Sequence, residues 1–136
     1  VNPAALARPV GYSHGMAAAS GTHLFVAGQV GWDGAAKIVV GGFVAQFEQA
    51  LANVLAVVIE AGGEPRHVTR LRIYVTDLEA YRRSLAEVGA AYRRRMGRHF
   101  PAMALLQVAG LLESGALVEI EADAMLPSSG ARGESR

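Results

Sequence analysis

Three carboxylates, Glu119, Glu121 and Asp123, stand at every second position of one stretch, Val118 to Ala124. A strand rises about 3.3 Å per residue, so neighbouring members lie about 6–7 Å apart on one face. That spacing suits acid–base chemistry on a small substrate, or metal binding. It also suits a plainer use. Arg70 and Arg72 alternate in Arg70 to Val75, and a cross-strand pair with a carboxylate is worth about 0.2–1 kcal/mol. Spacing alone favours the pairing and leaves the chemistry open.

The four histidines, His14, His23, His67 and His99, show no ligand spacing such as i and i+4, so no metal site is expected. His14 lies in Gly11-Tyr12-Ser13-His14-Gly15, where flanking glycines let backbone approach a ligand. Gly28, Gly31 and Gly34 precede no helix at the right place and no Gly-Lys-Ser/Thr occurs, which excludes a phosphate loop. The serines lack an elbow motif. With no cysteine there is no thiolate nucleophile, thiolate-bound zinc or disulfide, a composition that suits a reducing cytosol; a cytoplasmic location is the expectation.

Lys+Arg 13 against Asp+Glu 12 gives a net charge of +1, so no global field draws the chain to nucleic acid or an anionic membrane. The one basic cluster, Arg93-Arg94-Arg95 with Arg98 and His99, reads as a solvated helix end. The longest apolar run, Leu51 to Ile59, falls short of the roughly 20 residues that span a bilayer. Residues 1–9 lack the basic start and apolar centre of a signal peptide.

These residues must be held by something, and 136 residues, 51% of them hydrophobic, allow one core. His23 to Val30 reads as a strand before the turn Trp32-Asp33-Gly34, with Tyr12 to Ala19 before it and Lys37 to Val40 after it as further strands. Val44, Phe47, Leu51, Val54, Leu55 and Val58 recur at three and four, one face of a helix closed by Gly62-Gly63 and Pro65. Gln46 and Asn53 fall off that stripe. Arg70 to Val75 alternates as a half-buried strand. Thr76 and Glu79 have capping-box spacing, opening a second helix from Leu78 to Met96. Met103 to Val108 and Val118 to Ala124 read as a hairpin across Glu113-Ser114-Gly115. The sum is an α+β domain over residues 1–127, a mostly antiparallel sheet with two helices on one face, and a disordered tail at 128–136. The sheet's other face, with Arg70, Arg72, Tyr74, Glu119, Glu121 and Asp123, suits a subunit contact.

Six blocks in register resemble the Rid family, also called YjgF or reactive intermediate deaminases. They are Gly11-Tyr12-Ser13-His14-Gly15, Val26-Ala27-Gly28-Gln29-Val30, Asn53-Val54, Tyr74-Val75-Thr76-Asp77-Leu78, Phe100-Pro101-Ala102 and Val118-Glu119-Ile120-Glu121-Ala122, spread over residues 5–126. The resemblance implies a chorismate-mutase-like α+β fold in a homotrimer with clefts between subunits. It implies hydrolysis of small enamines and imines, such as 2-aminoacrylate, to a carbonyl compound and ammonia without cofactor or metal. Glu119 matches the family's water-positioning glutamate and is expected to orient or deprotonate water; His14, standing where many members carry a non-titrating residue, is read here as the proton shuttle, while Tyr12, Gly28, Gln29, Trp32 and Met103 line the substrate site. The family's substrate-clamping arginine directly follows Phe-Pro-Ala; here Met103 stands there. A thioether offers no charge and no donor, and charged hydrogen bonds are worth about 1.5–3 kcal/mol each, so the 2-aminoacrylate reaction should be weak or absent. The cleft is expected to take a different imine, an uncharged one included, or to serve a non-catalytic, ligand-binding or regulatory trimer. A ribonuclease or translation-inhibitor reading, a label carried by some members, sits poorly with the near-neutral charge.

Overall fold

The three-and-four apolar spacing after Gly41 folds as α1 (Gly42–Glu60), whose buried seam is Phe43, Gln46, Phe47, Ala50, Leu51, Val54, Leu55 and Val58. Gly62, at φ +90°, ends it: its N–H donates to Ile59 O and that of Gly63 to Val58 O, both at 2.9 Å. By length and hydropathy α1 alone among the described helices is apolar enough to cross a membrane; its seam lies in the core. The chain's computed structural model describes residues 1–128, and the tail expected to be disordered lies, past Ser128, outside them. Around α1 are β1 (Gly21–Val30), β2 (Val68–Val75), α2 (Leu78–Arg83), α3 (Leu85–Met96), β3 (Ala102–Gln107) and β4 (Val118–Pro127), with a 3-10 turn at Pro65–His67.

The sheet order is β1-β4-β2-β3. β4 pairs antiparallel with both β1 and β2, and β3 pairs parallel with β2. This corrects the expected hairpin of Met103–Val108 with Val118–Ala124. The helices between β2 and β3 form a crossover, which returns the chain parallel to β2, and β4 enters between β1 and β2. The second helix is also broken: Ser84, at φ −116° and ψ 20°, separates α2 from α3. Its cap is Asp77, whose carboxylate accepts from Glu79 N at 3.0 Å, in place of a Thr76–Glu79 box. Tyr12–Ala19 and Lys37–Val40 form no strands; each region contributes one isolated bridge, Ser13 to Ala102 and Trp32 to Ile38. Asp33 folds the latter loop, accepting from Ala35 N at 2.8 Å and Lys37 N at 3.1 Å.

Alternation gives the sheet two unlike faces. Val68, Leu71, Ile73 and Val75 of β2 and Val118, Ile120, Ala122 and Ala124 of β4 are buried against the helices. On the other face, Arg70, Arg72 and Tyr74 register with Asp123, Glu121 and Glu119. Phe25 belongs to that face too, opposite Asp123 and 73% exposed.

Candidate functional site

Register decides which carboxylates pair. Arg72 Nη2 lies 3.4 Å from Asp123 Oδ2 and its Nη1 4.0 Å from Glu121 Oε1. The Tyr74 phenol donates a short hydrogen bond to Glu121, which raises the phenol's pKa. His23 Nε2 sits 3.7 Å from Asp123 Oδ1, and its ring packs at a 32° tilt against Phe25, centroids 4.0 Å apart. The carboxylate of half-buried Glu119 makes no hydrogen bond or ion pair with any described residue. The pairing reading therefore holds for two members of the trio and fails for the third.

The unpaired carboxylate rests on β1. Between Val26 and Gln29 the β1–β4 register slips, so Ala27 and Gly28 form a bulge that turns this edge toward β4. A Cβ on Gly28 would fall 2.2 Å from Glu119 Oε2, so only glycine leaves the carboxylate its place. Gln29 folds back, its side-chain amide donating to Ala27 O at 3.2 Å. Trp32 is half-buried at the exit of β1.

Two polar side chains of α1 fix the strands that carry this pair, and the apolar stripe gave no hint of either. Asn53 Nδ2 donates to Val30 O at 3.1 Å and Trp32 O at 3.0 Å, and Gln49 Nε2 donates to Asn53 Oδ1 at 2.9 Å. Gln46, 4% exposed, donates to Gly115 O at 3.1 Å and accepts from Leu117 N at 2.8 Å, two residues before Glu119. The missed signal was the period itself: Gln46, Gln49 and Asn53 recur at three and four along one helix edge.

Tyr12, His14 and Met103 gather at the opposite edge of the sheet. Ser13 N donates to Pro101 O at 3.0 Å and Ser13 Oγ to Phe100 O at 2.6 Å, which lays Gly11–Gly15 along β3. Tyr12, His14, Arg70, Arg72, Ala102 and Met103 are among the residues lining a cleft of about 360 Å³ there. The Tyr12 and His14 rings meet edge to face at 5.3 Å. His14 Nε2 lies 2.7 Å from Ala7 O. A carbonyl only accepts, so the neutral ring carries its hydrogen on Nε2 and keeps the Nδ1 lone pair for a proton. Met103 packs its side chain toward the core beside Leu71, its partner in register.

The sequence-derived site thus falls into two half-sites within one chain. Gly28, Gln29 and Trp32, on β1 and at its exit, stand with Glu119 of the adjoining β4; Tyr12, His14 and Met103 stand at the β3 edge. Glu119 registers with Tyr74, and Tyr74 with Leu106, three residues past Met103. That offset, with β2 between, is about 10 Å along the sheet and about 10 Å across it. One chain does not bring Glu119 and His14 together.

The other histidines have structural contacts. His99 Nε2 lies 2.7 Å from Val68 O, and His67 Nδ1 accepts from Glu64 N at 2.9 Å. Among the described residues no group of three His, Cys, Asp or Glu could hold a metal ion.

Residues 3–126 match the family model described as Endoribonuclease L-PSP. Protein DfrA of Myxococcus xanthus is 36% identical over 115 residues, 84% of each chain. The 2-iminobutanoate/2-iminopropanoate deaminase of Capra hircus is 33% identical over 103 residues, 75% of this chain and 72% of that one. Among solved structures, YyfB of Yersinia pestis, a Rid protein of unknown function, superposes with a TM-score of 0.83 at 35% identity, covering 93% of this chain and 96% of the other.

Proposed function

This chain belongs to the YjgF/Rid family, and from that membership and the divided site we propose that copies close into a homotrimer whose clefts bind and hydrolyse small enamines and imines. The observation that carries the proposal is the unpaired Glu119 over Gly28 at one sheet edge while Tyr12, His14 and Met103 wait at the other. Two different edges can meet only in a head-to-tail contact, and a head-to-tail contact that closes gives a ring. The uncovered polar face turns inward in such a ring.

The reacting form is the protonated imine, which an imine reaches by taking a proton on nitrogen and an enamine by taking one on carbon, the proton being the one His14 holds after the preceding turnover. In the cleft Glu119 accepts a proton from water as the water oxygen bonds to the carbon of the protonated imine and the C=N π pair moves onto nitrogen, leaving a neutral carbinolamine. The carbinolamine then collapses: the C–N bond breaks, nitrogen leaves as ammonia with the proton returned to it, and the hydroxyl proton passes to a base as the C=O forms. His14 Nδ1 carries that proton. Each turnover consumes one water and releases one carbonyl compound and one ammonia. The deaminase relatives support the reaction class. With Met103 following Phe100-Pro101-Ala102, three-carbon imino acids lack their carboxylate clamp, and 2-aminoacrylate is a poor substrate.

The test is ammonia release from a panel of imines generated in situ by an amino-acid oxidase, with Glu119→Gln as control. Release that exceeds the uncatalysed rate and disappears in Glu119→Gln upholds the proposal. Release at the uncatalysed rate throughout leaves a trimer that only binds metabolites.

A further inference from the structure

On the core side of β3 lies a groove of about 420 Å³ whose walls include Phe47, Ile73, Val88, Phe100, Met103 and Leu105. Its rim carries Val10, 88% exposed, and Leu85, 56% exposed. One charged residue lines it, Arg93. The three consecutive arginines of α3 are not equivalent. Arg94 Nη2 reaches Glu48 Oε1 at 2.7 Å and Arg95 Nε reaches Glu48 Oε2 at 3.1 Å, clamping α3 to α1. The Arg93 guanidinium makes no hydrogen bond or ion pair with any described residue.

Its guanidinium lies over a gap in the helix. A Cβ on Gly89 would stand 3.3 Å from Arg93 Nη1. Glycine inside a helix is less stable than alanine by about 0.5–1 kcal/mol, and here the bare backbone lines the groove and leaves the guanidinium its seat. Tyr81 also lines the groove with a hydroxyl that donates to no described residue, whereas the Tyr92 hydroxyl is committed to His99 O at 2.5 Å.

An apolar trough with a lone guanidinium and a phenol is complementary to a molecule with an apolar body and one anionic end. We propose that this groove binds a small monocarboxylate with a bulky apolar or aromatic body, its carboxylate on Arg93 and its body against Phe100 and Met103. The cation for the ligand's carboxylate then comes from α3, and Met103 serves as apolar wall. The groove lies on the face of β3 away from the cleft that holds Tyr12 and His14, so this binding does not depend on hydrolysis.

Calorimetry on the full chain with 4-phenylbutyrate, 4-phenylbutan-1-ol and 4-phenylbutylamine tests it, since the three share a body and differ in charge. The acid should bind saturably and about tenfold or more tighter than the alcohol, with the amine weakest. Arg93→Gln should bring the acid down to the alcohol's affinity without moving the alcohol or the melting temperature. Gly89→Leu, which fills the groove and takes the seat of the Arg93 guanidinium, should weaken both, the acid more than the alcohol. Equal affinity for acid and alcohol, indifference of the acid to Arg93→Gln, or no saturable binding of the acid at millimolar concentration overturns the proposal; the last is the result if a neighbouring copy covers the groove. Acid binding that depends on Arg93 in a protein that releases no ammonia upholds this proposal and ends the hydrolytic one.

Discussion

At the scale of single residues, Gly28→Ala is the sharpest probe of the Glu119 carboxylate. The added methyl would meet the flexible end of a side chain, 2.2 Å from Oε2, so the fold should survive while the carboxylate moves aside. We expect Gly28→Ala and Glu119→Gln each to cut turnover on a true substrate about 100-fold or more, the range of a lost acid–base group, with circular dichroism and the assembly unchanged. His14→Ala should lose turnover as well. A drop in melting temperature with no change in rate would assign both side chains a structural role. Met103→Arg is expected to raise ammonia release from 2-aminoacrylate, and wild-type rates on that substrate equal to those of the mammalian relatives would remove Met103 from the site. Alternation alone placed Glu119, Glu121 and Asp123 on one face. Which of them stays unpaired follows from the reach of Arg72 and Tyr74 across the ladder, a register fact that no spacing within β4 contains.

Between elements, the legible parts are those with long periods and strong punctuation: α1 with its Gly62 stop, β2, and β4 with its strict alternation. The misplaced hairpin has a physical cause. Adjacent strands in sequence often pair, yet β4 buries Val118, Ile120, Ala122 and Ala124 completely or nearly so, which a central place between β1 and β2 provides and an edge does not. Tyr12–Ala19 alternates too little to form a strand, and its Ser13 bonds go to Phe100 and Pro101 rather than to a ladder. Gln46 tests the role of α1: Gln46→Met leaves Gly115 O and Leu117 N without their partners. We expect a loss of about 2–4 kcal/mol in urea unfolding, and a rise in KM or fall in kcat larger than in a surface control.

The α1–α3 clamp also gives stability a pH dependence. The hydrogen bond from Arg94, aided by Arg95, holds the Glu48 carboxyl below its ordinary value of 4.5. A depressed folded-state value means that the unfolded chain takes up the proton first, so this contribution is full above 4.5 and fades as pH falls through the lower folded value. The stability gap between wild type and Glu48→Gln should therefore be widest near neutrality and close in acid; a gap that is flat with pH would mean the pair contributes nothing electrostatic.

For the whole molecule, sheet order has one decisive consequence. Of the residues that resemble a family's site, Gly28 and Gln29 on the edge strand β1 and Glu119 on the adjoining β4 are separated by β2 from Tyr12, His14 and Met103 at the β3 edge. Their juxtaposition was not legible from the sequence without a partner copy, because no fold of one chain joins β1 to β3 in this order. Light scattering should give about three times 14.3 kDa; a stable monomer at micromolar concentration would leave each half-site alone.

The most direct measurement mixes two broken half-sites. Glu119→Gln and a Tyr12→Ala/His14→Ala double variant are each expected to be inactive alone. Unfolded together in equal amounts and refolded, they should form rings in which each cleft takes Glu119 from one copy and Tyr12 with His14 from its neighbour. Random assembly then restores about one quarter of wild-type ammonia release. A site built within one chain would stay broken in every copy, so refolded mixtures no more active than the separate variants would contradict the account.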